Sequence, residues 1–244
     1  MKVCAAQLRP APGNIDGNIV KHTELIELAA SLGSSIVVFP ELSLSGYEPT
    51  LAHDLATTID DPRLGIFQSL ANSRNITIGL GIPIKSRTGI LIGEIFFQPN
   101  CSRLAYFKQH LHQDEFPYFE EGTSHVMLDL NGYKIAPAIC YESLLPQHSE
   151  SAFSRGANIY FASVAKSQRG VEKAVPHFTS IATEYSMAVL MSNCTGHCDN
   201  FLAVGQSSIW NKKGQLLGQL RESDEGILLA DLKTEEVTVR LLAQ

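Results

Sequence analysis

No run of apolar residues in this sequence approaches the roughly 20 needed to span a bilayer. The opening Met1-Lys2-Val3-Cys4-Ala5-Ala6-Gln7-Leu8 carries one positive charge and a short apolar stretch, which Arg9, Pro10 and Pro12 break off. A secretory leader would need a longer apolar region and a small-residue cleavage site. A cytoplasmic protein with no membrane partner is therefore expected. Cysteine is sparse. Cys4, Cys101, Cys140, Cys194 and Cys198 are an odd, scattered set in 244 residues, which excludes a disulfide framework. Each thiol is then either core filler or nucleophile. There is no basic stripe: 19 Lys and Arg stand against 25 Asp and Glu, a net charge of -6, so nucleic acid is not an expected partner. No low-complexity segment or Pro/Gly/Ser linker divides the chain, so residues 1–244 read as one domain able to bury a large core. A phosphate-binding loop is missing, because Gly79-Leu80-Gly81 lacks the further glycines and the helix start.

What is present alternates between strand and helix patterns. Lys2 to Leu8 reads as a strand. Asn14 to Leu32 reads as a helix, with Asn14 or Asp16 as its cap and Gly33 as its stop. Ile15, Ile19, Ile26 and Ala30 fall on one face of it. Ile36 to Phe39 is a continuous apolar run that suits a strand covered on both faces, and Pro40 ends it. A helix is expected over Pro62 to Asn75. Strands follow at Ile76 to Ile84, Ile90 to Gln98 and Arg103 to Lys108. Val126 to Leu130 and Tyr133 to Ile139 flank Asn131-Gly132, a strong hairpin signal. Further helices are expected at Leu144 to Arg155 and Ala174 to Ser186. The remaining strands are Asn158 to Ala162, Ala188 to Ser192, Gln206 to Trp210 and Gly226 to Leu232, with a turn at Asn211 to Gly214. Such alternation with hairpins indicates a mixed α/β protein whose helices cover sheet faces.

Three strand ends carry reactive side chains. Phe39-Pro40-Glu41 sets a carboxylate directly after a buried strand, where desolvation would raise its pKa and make it a proton acceptor near neutrality. A solvated turn carboxylate is the commoner fate of such a residue. Ile135 to Ile139 leads into Cys140-Tyr141-Glu142. A thiol on a strand-to-helix turn is exposed at its tip, and the next backbone N–H points into the same space. It would need a base or a cation beside it, since a free thiol has a pKa of about 8.5. Buried structural cysteine is the bland alternative. Lys108 ends Leu104-Ala105-Tyr106-Phe107, and either snorkels into water or sits in a cleft as an oxyanion stabiliser.

Together these pieces resemble the nitrilase superfamily of carbon–nitrogen hydrolases. The matching motifs are Phe-Pro-Glu-Leu-Ser-Leu-Ser-Gly-Tyr (39 to 47), Tyr-Phe-Lys-Gln-His-Leu (106 to 111) and Ala-Ile-Cys-Tyr-Glu (138 to 142). Val3 to Gln7, Asn18, and Gly205 to Ile209 with Gly214 also match, so the likeness covers about residues 1 to 232. The resemblance implies a four-layer αββα sandwich of two mixed sheets, with a Glu41–Lys108–Cys140 triad between them. It implies a homodimer or higher homo-oligomer in which sandwiches stack. It implies a second active-site Glu, for which Glu115 fits best and Glu120 and Glu121 compete. Tyr47, Tyr141, Glu142 and Lys166 are the expected substrate contacts, with Arg169 and Lys173 as further basic candidates in a loop before the late helix. Tyr141 after the Cys, where nitrilases proper more often have Trp, favours a small linear amide or N-carbamoyl substrate. Nitrile hydrolysis, acyl transfer, or a non-catalytic binding protein on the same fold are the alternatives. Thiol, carboxylate and ammonium would supply all the chemistry, so no metal or organic cofactor is expected. The chain departs from the family at Ile181-Ala182-Thr183-Glu184-Tyr185, where Glu184 matches but its usual Arg and Asn neighbours are missing.

Other signals weigh less. His110 and His112 share a strand face but lack further ligands for a metal. Cys194-Thr195-Gly196-His197-Cys198 is too cramped for zinc and reads as a loop beside the pocket. Ser43-Leu44-Ser45-Gly46 is not a Gly-x-Ser-x-Gly elbow.

Overall fold

A computed structural model describes residues 1–242. Sheet one has seven strands and sheet two has six. Sheet one contains β1 (Lys2–Gln7), β2 (Ile36–Val38), β3 (Thr77–Lys85), β4 (Ile90–Phe97) and β5 (Leu104–Phe107). Sheet two contains β6 (Leu128–Leu130), β7 (Tyr133–Ile139), β8 (Ile159–Val164) and β9 (Ala188–Asn193). A separate hairpin, β10 (Thr195–Cys198) and β11 (Phe201–Val204), follows. β12 (Ser208–Trp210) and β13 (Leu216–Gln219) complete sheet two. β14 (Gly226–Asp231) and β15 (Val237–Leu241) return to sheet one, beside β1. The helices are α1 (Ile15–Ser31), α2 (Ala52–Leu55), α3 (Gly65–Arg74), α4 (Pro146–Ser154) and α5 (Gln168–Tyr185).

Strand alternation builds the layers. On β2, Ile36 and Val38 face the space between the sheets, while Val37 and the following Phe39 face α1 and α3. On β8, Ile159 and Phe161 face the same inter-sheet space, while Tyr160 and Ala162 face α4 and α5. Three apolar layers result: between the sheets, under α1 and α3, and under α4 and α5. This is the αββα sandwich that the resemblance implied.

Topology brings the important strand ends together. β1, β2 and β3 run parallel, β4 runs against β3, and β5 runs against β4. β2 and β5 therefore share a direction, and their carboxyl ends lie on one edge. In sheet two, β7, β8 and β9 are parallel, so their carboxyl ends also share an edge. Two serines cross between the sheets near these ends. Ser163 Oγ on β8 donates to Phe39 O at 2.7 Å, and Ser192 Oγ on β9 donates to Ala6 O at 2.5 Å.

Most expected elements appear. Asn14 is the cap of α1, its side chain accepting from Gly17 N–H. Asn131 and Gly132 both have positive φ, as a two-residue hairpin turn requires. Differences are local. The late helix begins at Gln168 rather than Ala174, so Arg169 and Lys173 lie on α5 and not in a loop. A 3₁₀ turn, Cys140–Leu144, precedes α4. The hairpin β10–β11, and strands β13 and β15, were not expected. Cys194 to Cys198 lacks strand-like alternation, and β15 is a largely exposed edge strand with no apolar face to read.

Candidate active site

Glu41 sits two residues beyond Phe39, on a turn that packs into sheet one. The turn fits because Gly81 on β3 has no side chain: a Cβ there would meet Leu42 N at 2.3 Å and Pro40 O at 2.9 Å. Leu44 N–H donates to Gly81 O at 3.0 Å. Leu42 adopts φ 50, a strained conformation for leucine. His22 of α1 braces the turn from behind, with Nε2 2.9 Å from Ser43 Oγ and Nδ1 2.7 Å from Asn18 O. Nδ1 must donate to that carbonyl, and in the neutral ring Nε2 then accepts from the serine. Burial, the largest influence, lowers the His22 pKa to about 4. Asn18 Nδ2 donates to Leu44 O at 2.9 Å.

Lys108 follows β5 and is fully buried. Its ammonium donates to Glu41 Oε1 at 2.7 Å and to Glu115 Oε1 at 2.6 Å. Burial opposes this charge, but the two carboxylates outweigh it and hold the ammonium above its ordinary range. Glu115 also accepts from Tyr47 OH at 2.9 Å and from His112 N–H at 2.7 Å. Of the three candidates for the second Glu, Glu115 is the one that touches Lys108. Glu120 instead binds Ser86 and Thr88, and Glu121 accepts from Leu111 N–H. Burial raises the Glu41 pKa, against the pull of Lys108. Its second oxygen, Oε2, is buried with no hydrogen-bonded partner. The Cys140 thiol is a neighbour of this carboxyl and favours its charged form.

Cys140 ends β7 and opens the 3₁₀ turn with φ 48. Left-handed backbone at a non-glycine residue stores strain of order 1–3 kcal/mol and clusters at functional sites. Burial and the Glu41 charge push the thiol pKa up to about 11, while Lys166 and Lys108 pull it down. Lys166, two residues beyond β8, places Nζ 3.9 Å from Cys140 Sγ. The thiol opens onto a pocket of about 410 Å³, which Tyr47, Glu115, Tyr141, Lys166, Lys173 and Phe201 help to line. Ser167, Gly170 and Lys173, three residues apart, present one face of the start of α5 to it. Tyr47, Tyr141 and Lys166 thus line the pocket, and Arg169 is not among its lining residues.

Glu142 is a correction. Its carboxylate is fully buried away from the pocket and accepts from Ile139 N–H at 2.7 Å, Gln109 N–H at 2.6 Å, His110 N–H at 3.2 Å and Tyr106 OH at 2.6 Å. It clasps the end of β7 to the segment after β5. A 3₁₀ turn has about three residues per turn, so a side chain two positions on is rotated by roughly 240° away from the thiol. Burial, its largest influence, raises the Glu142 pKa to about 7. Behind it, His148 bridges Tyr106 OH (3.0 Å) and Tyr160 OH (2.8 Å), and burial lowers its pKa to about 4.

The sequence reading missed several supports: His22 and Ser43 behind Glu41, Tyr106 and His148 behind Glu142, and Asn193, which holds Lys166. It also missed Glu94 on β4, a fully buried carboxyl between the sheets with neither oxygen in an ordinary hydrogen bond. Burial, and then the Glu142 and Glu41 charges, raise its pKa well above normal. The signal was present, since a Glu between Ile92 and Phe96 interrupts an inward-facing apolar row. The histidine pair serves other ends. His112 pairs with Asp114, while His110 lines a different cavity with His125 and His148. Among the described residues, no group of three or more His, Cys, Asp or Glu is arranged to hold a metal ion.

This constellation matches a known class. Residues 2–239 match the carbon–nitrogen hydrolase family model, and the chain belongs to that family. The glutamine-dependent NAD(+) synthetase of Thermotoga maritima is 25% identical over 248 residues, covering 97% of this chain but only 42% of its own length. The chain thus spans less than half of that relative. The 2-oxoglutaramate amidase of Bacillus subtilis is 24% identical over 89% of this chain and 85% of its own. Among solved structures, an amidase variant from Nesterenkonia sp. AN1 in complex with butyramide superposes with a TM-score of 0.86 at 21% identity, covering 96% of this chain and 92% of its own. Another form of that amidase carries acrylamide, joined by Michael addition at its active-site cysteine (TM-score 0.86, 22% identity, 95% of this chain and 93% of its own).

Proposed function

We propose that this protein hydrolyses a small linear amide or N-carbamoyl compound through a thioester on Cys140. The observation that carries the reading is the Lys108 ammonium, held 2.7 Å from Glu41 and 2.6 Å from Glu115, on the opposite sheet from a thiol that opens onto a pocket. Glu41, its Oε2 unpartnered, takes the thiol proton. The thiolate attacks the amide carbonyl carbon. Lys108 and the Tyr141 backbone N–H, an amide in the first turn of a helix, stabilise the oxyanion. One such donor is worth roughly 3 to 4 kcal/mol of barrier. Protonated Glu41 returns its proton to the departing ammonia or amine, and the thioester remains. Glu41 then activates water, which releases the acid and restores the thiol. Glu115 fixes Lys108 in position, and Tyr47 fixes Glu115.

Amide chemistry is favoured over nitrile chemistry by Tyr141 after the nucleophile and by two relatives whose names specify amidase activity. A pocket of about 410 Å³ suits a substrate of small-molecule size. We also propose that the chain works in the cytoplasm as a homodimer. The partly exposed rings of Phe153 on α4 and Tyr185 on α5, 5.1 Å apart, offer an apolar contact on the outer face of sheet two's helices. No helix among the described residues is long and apolar enough to cross a membrane.

The test is an ammonia-release screen over small amides, carbamoyl compounds and nitriles, with Cys140→Ala as control. Release is expected from amides or carbamoyl compounds, with a loss of roughly a thousandfold or more in the variant and a nearly unchanged thermal midpoint. Turnover surviving in Cys140→Ala would remove the nucleophile from the scheme. Product analysis with added amines separates hydrolysis from acyl transfer.

A further inference from the structure

Two lysines are buried at this site, and they are placed differently. Lys108 is bracketed by Glu41 and Glu115, so these three groups together keep one negative charge. Proton transfer from Cys140 to Glu41 moves that one charge onto the sulfur, in a desolvated space. Lys166 is almost as buried, at 5% exposure, yet has no carboxylate within salt-bridge distance among the described residues. The one hydrogen bond its ammonium makes among the described residues is to Cys140 Sγ, at 3.9 Å. Its backbone is pinned on both sides. Lys166 N–H donates to Asn193 Oδ1 at 2.8 Å, and Asn193 Nδ2 donates to Lys166 O at 3.1 Å. Asn193 is itself fixed through Gly205 O at 2.7 Å and Ser207 Oγ at 2.9 Å. The side chain therefore leaves a rigid base and ends on the nucleophile. A buried ammonium without a counter-ion is costly, and the thiolate is the anion that would satisfy it.

We propose that Lys166 is a catalytic residue whose ammonium is the counter-ion of the Cys140 thiolate. The proposal rests on the reading of Cys140 as nucleophile. It divides the work between two cations: Lys108 serves the carbonyl oxygen and Lys166 serves the sulfur. When Glu41 takes the S–H proton, an ion pair forms with Lys166, and no proton leaves the lysine. Bond formation between sulfur and the carbonyl carbon then neutralises the sulfur. In deacylation the water-derived tetrahedral intermediate expels the thiolate, and Lys166 receives its charge again before the proton returns. Of the groups acting on the thiol, Lys166 is the strongest that favours its ionisation.

Alkylation of Cys140 by iodoacetamide, which is uncharged and needs no substrate, reads this directly. Cys101 is the exposed cysteine, so the experiment uses a Cys101→Ser background and follows the Cys140 peptide by mass spectrometry. The groups whose charges enter the pH profile are Glu41, Glu115, Lys108, Lys166, Tyr47 and Cys194. Lys166→Met should slow alkylation near neutral pH by about tenfold or more, moving its midpoint up by at least about one pH unit. Lys166→Arg should retain most of the wild-type profile, and Lys166→Gln provides the comparison if the Met variant is unstable. With an uncharged amide, kcat should fall while KM changes little. A wild-type alkylation profile in a folded Lys166→Met or Lys166→Gln protein would overturn the proposal. So would a loss confined to KM for amides that carry a carboxylate, which would make Lys166 a substrate grip. Failure of the underlying reading looks different: ammonia release would persist after Cys140 had been fully alkylated.

Discussion

The Glu41 turn and the Cys140 turn face each other from different sheets, and they are braced by opposite means. Each follows a buried strand and holds one non-glycine residue at positive φ, Leu42 or Cys140. Behind the Glu41 turn stand neutral groups: the His22 ring, the Asn18 amide, and the vacant side of Gly81. Behind the Cys140 turn stands a carboxylate, Glu142, with four donors on it. The two glutamates differ accordingly. Glu142 spends its lone pairs on backbone and Tyr106, so it is a structural clasp. Glu41 keeps Oε2 free of protein partners, and that oxygen is available for a proton. For a buried carboxylate, an unspent oxygen beside a thiol is the mark of chemistry, and full satisfaction is the mark of architecture.

The largest effect should come from exchanging the free oxygen for an amide. Glu41→Gln should lower turnover by roughly a hundredfold to ten-thousandfold, with little change in thermal midpoint. A thioester trapped in that variant at the wild-type rate would show that another group is the base. Next, Glu142→Ala leaves three backbone N–H groups without an acceptor and removes one of the two partners of Tyr106 OH. At about 1–3 kcal/mol for each stranded group, unfolding free energy should fall by about 3 kcal/mol or more. Denaturant titration measures it, and a loss under about 1 kcal/mol would end the clasp interpretation.

The smallest effect is in pH dependence. The folded His22 pKa, about 4, lies below the ordinary value of 6.5. Its contribution is therefore complete above 6.5 and is lost as pH falls toward 4, because the unfolded chain takes up the proton first. The span corresponds to about 3 kcal/mol. On the other side, Glu142, raised to about 7 from 4.5, loses stability as pH rises through that window. His148, lowered to about 4, acts in the opposite sense beside it. The Glu41 turn therefore carries, through His22, a sensitivity to acid. His22→Asn should flatten the fall in unfolding free energy between pH 6.5 and 4. An unchanged slope would count against the neutral-ring bracing.

The sequence exposed the parts of the site that lie at ends of apolar strands, because burial writes a pattern there. Glu41, Lys108 and Cys140 each interrupt such a run, and the layers follow from the same alternation. Glu115 was ranked ahead of Glu120 and Glu121 by likeness to a family, and the contact with Lys108 agrees. Glu142 misled because adjacency in sequence does not give direction on a tight turn. Phe201 was invisible as a pocket residue, since its place depends on the pairing of a hairpin that carries little apolar signal. The start of α5 was hidden by its charge: Arg169, Glu172 and Lys173 read as loop, yet they ride the exposed side of a helix whose buried face begins at Val171.

Ser163 and Ser192 tie the two sheets through single hydroxyls. Because the proposed base and nucleophile belong to separate layers, the site acts as a vernier for their alignment. A slide of one layer over the other by the width of an atom would leave every helix and strand intact and still undo the proposed chemistry. On gentle heating, catalytic output should therefore fade before circular dichroism registers any change.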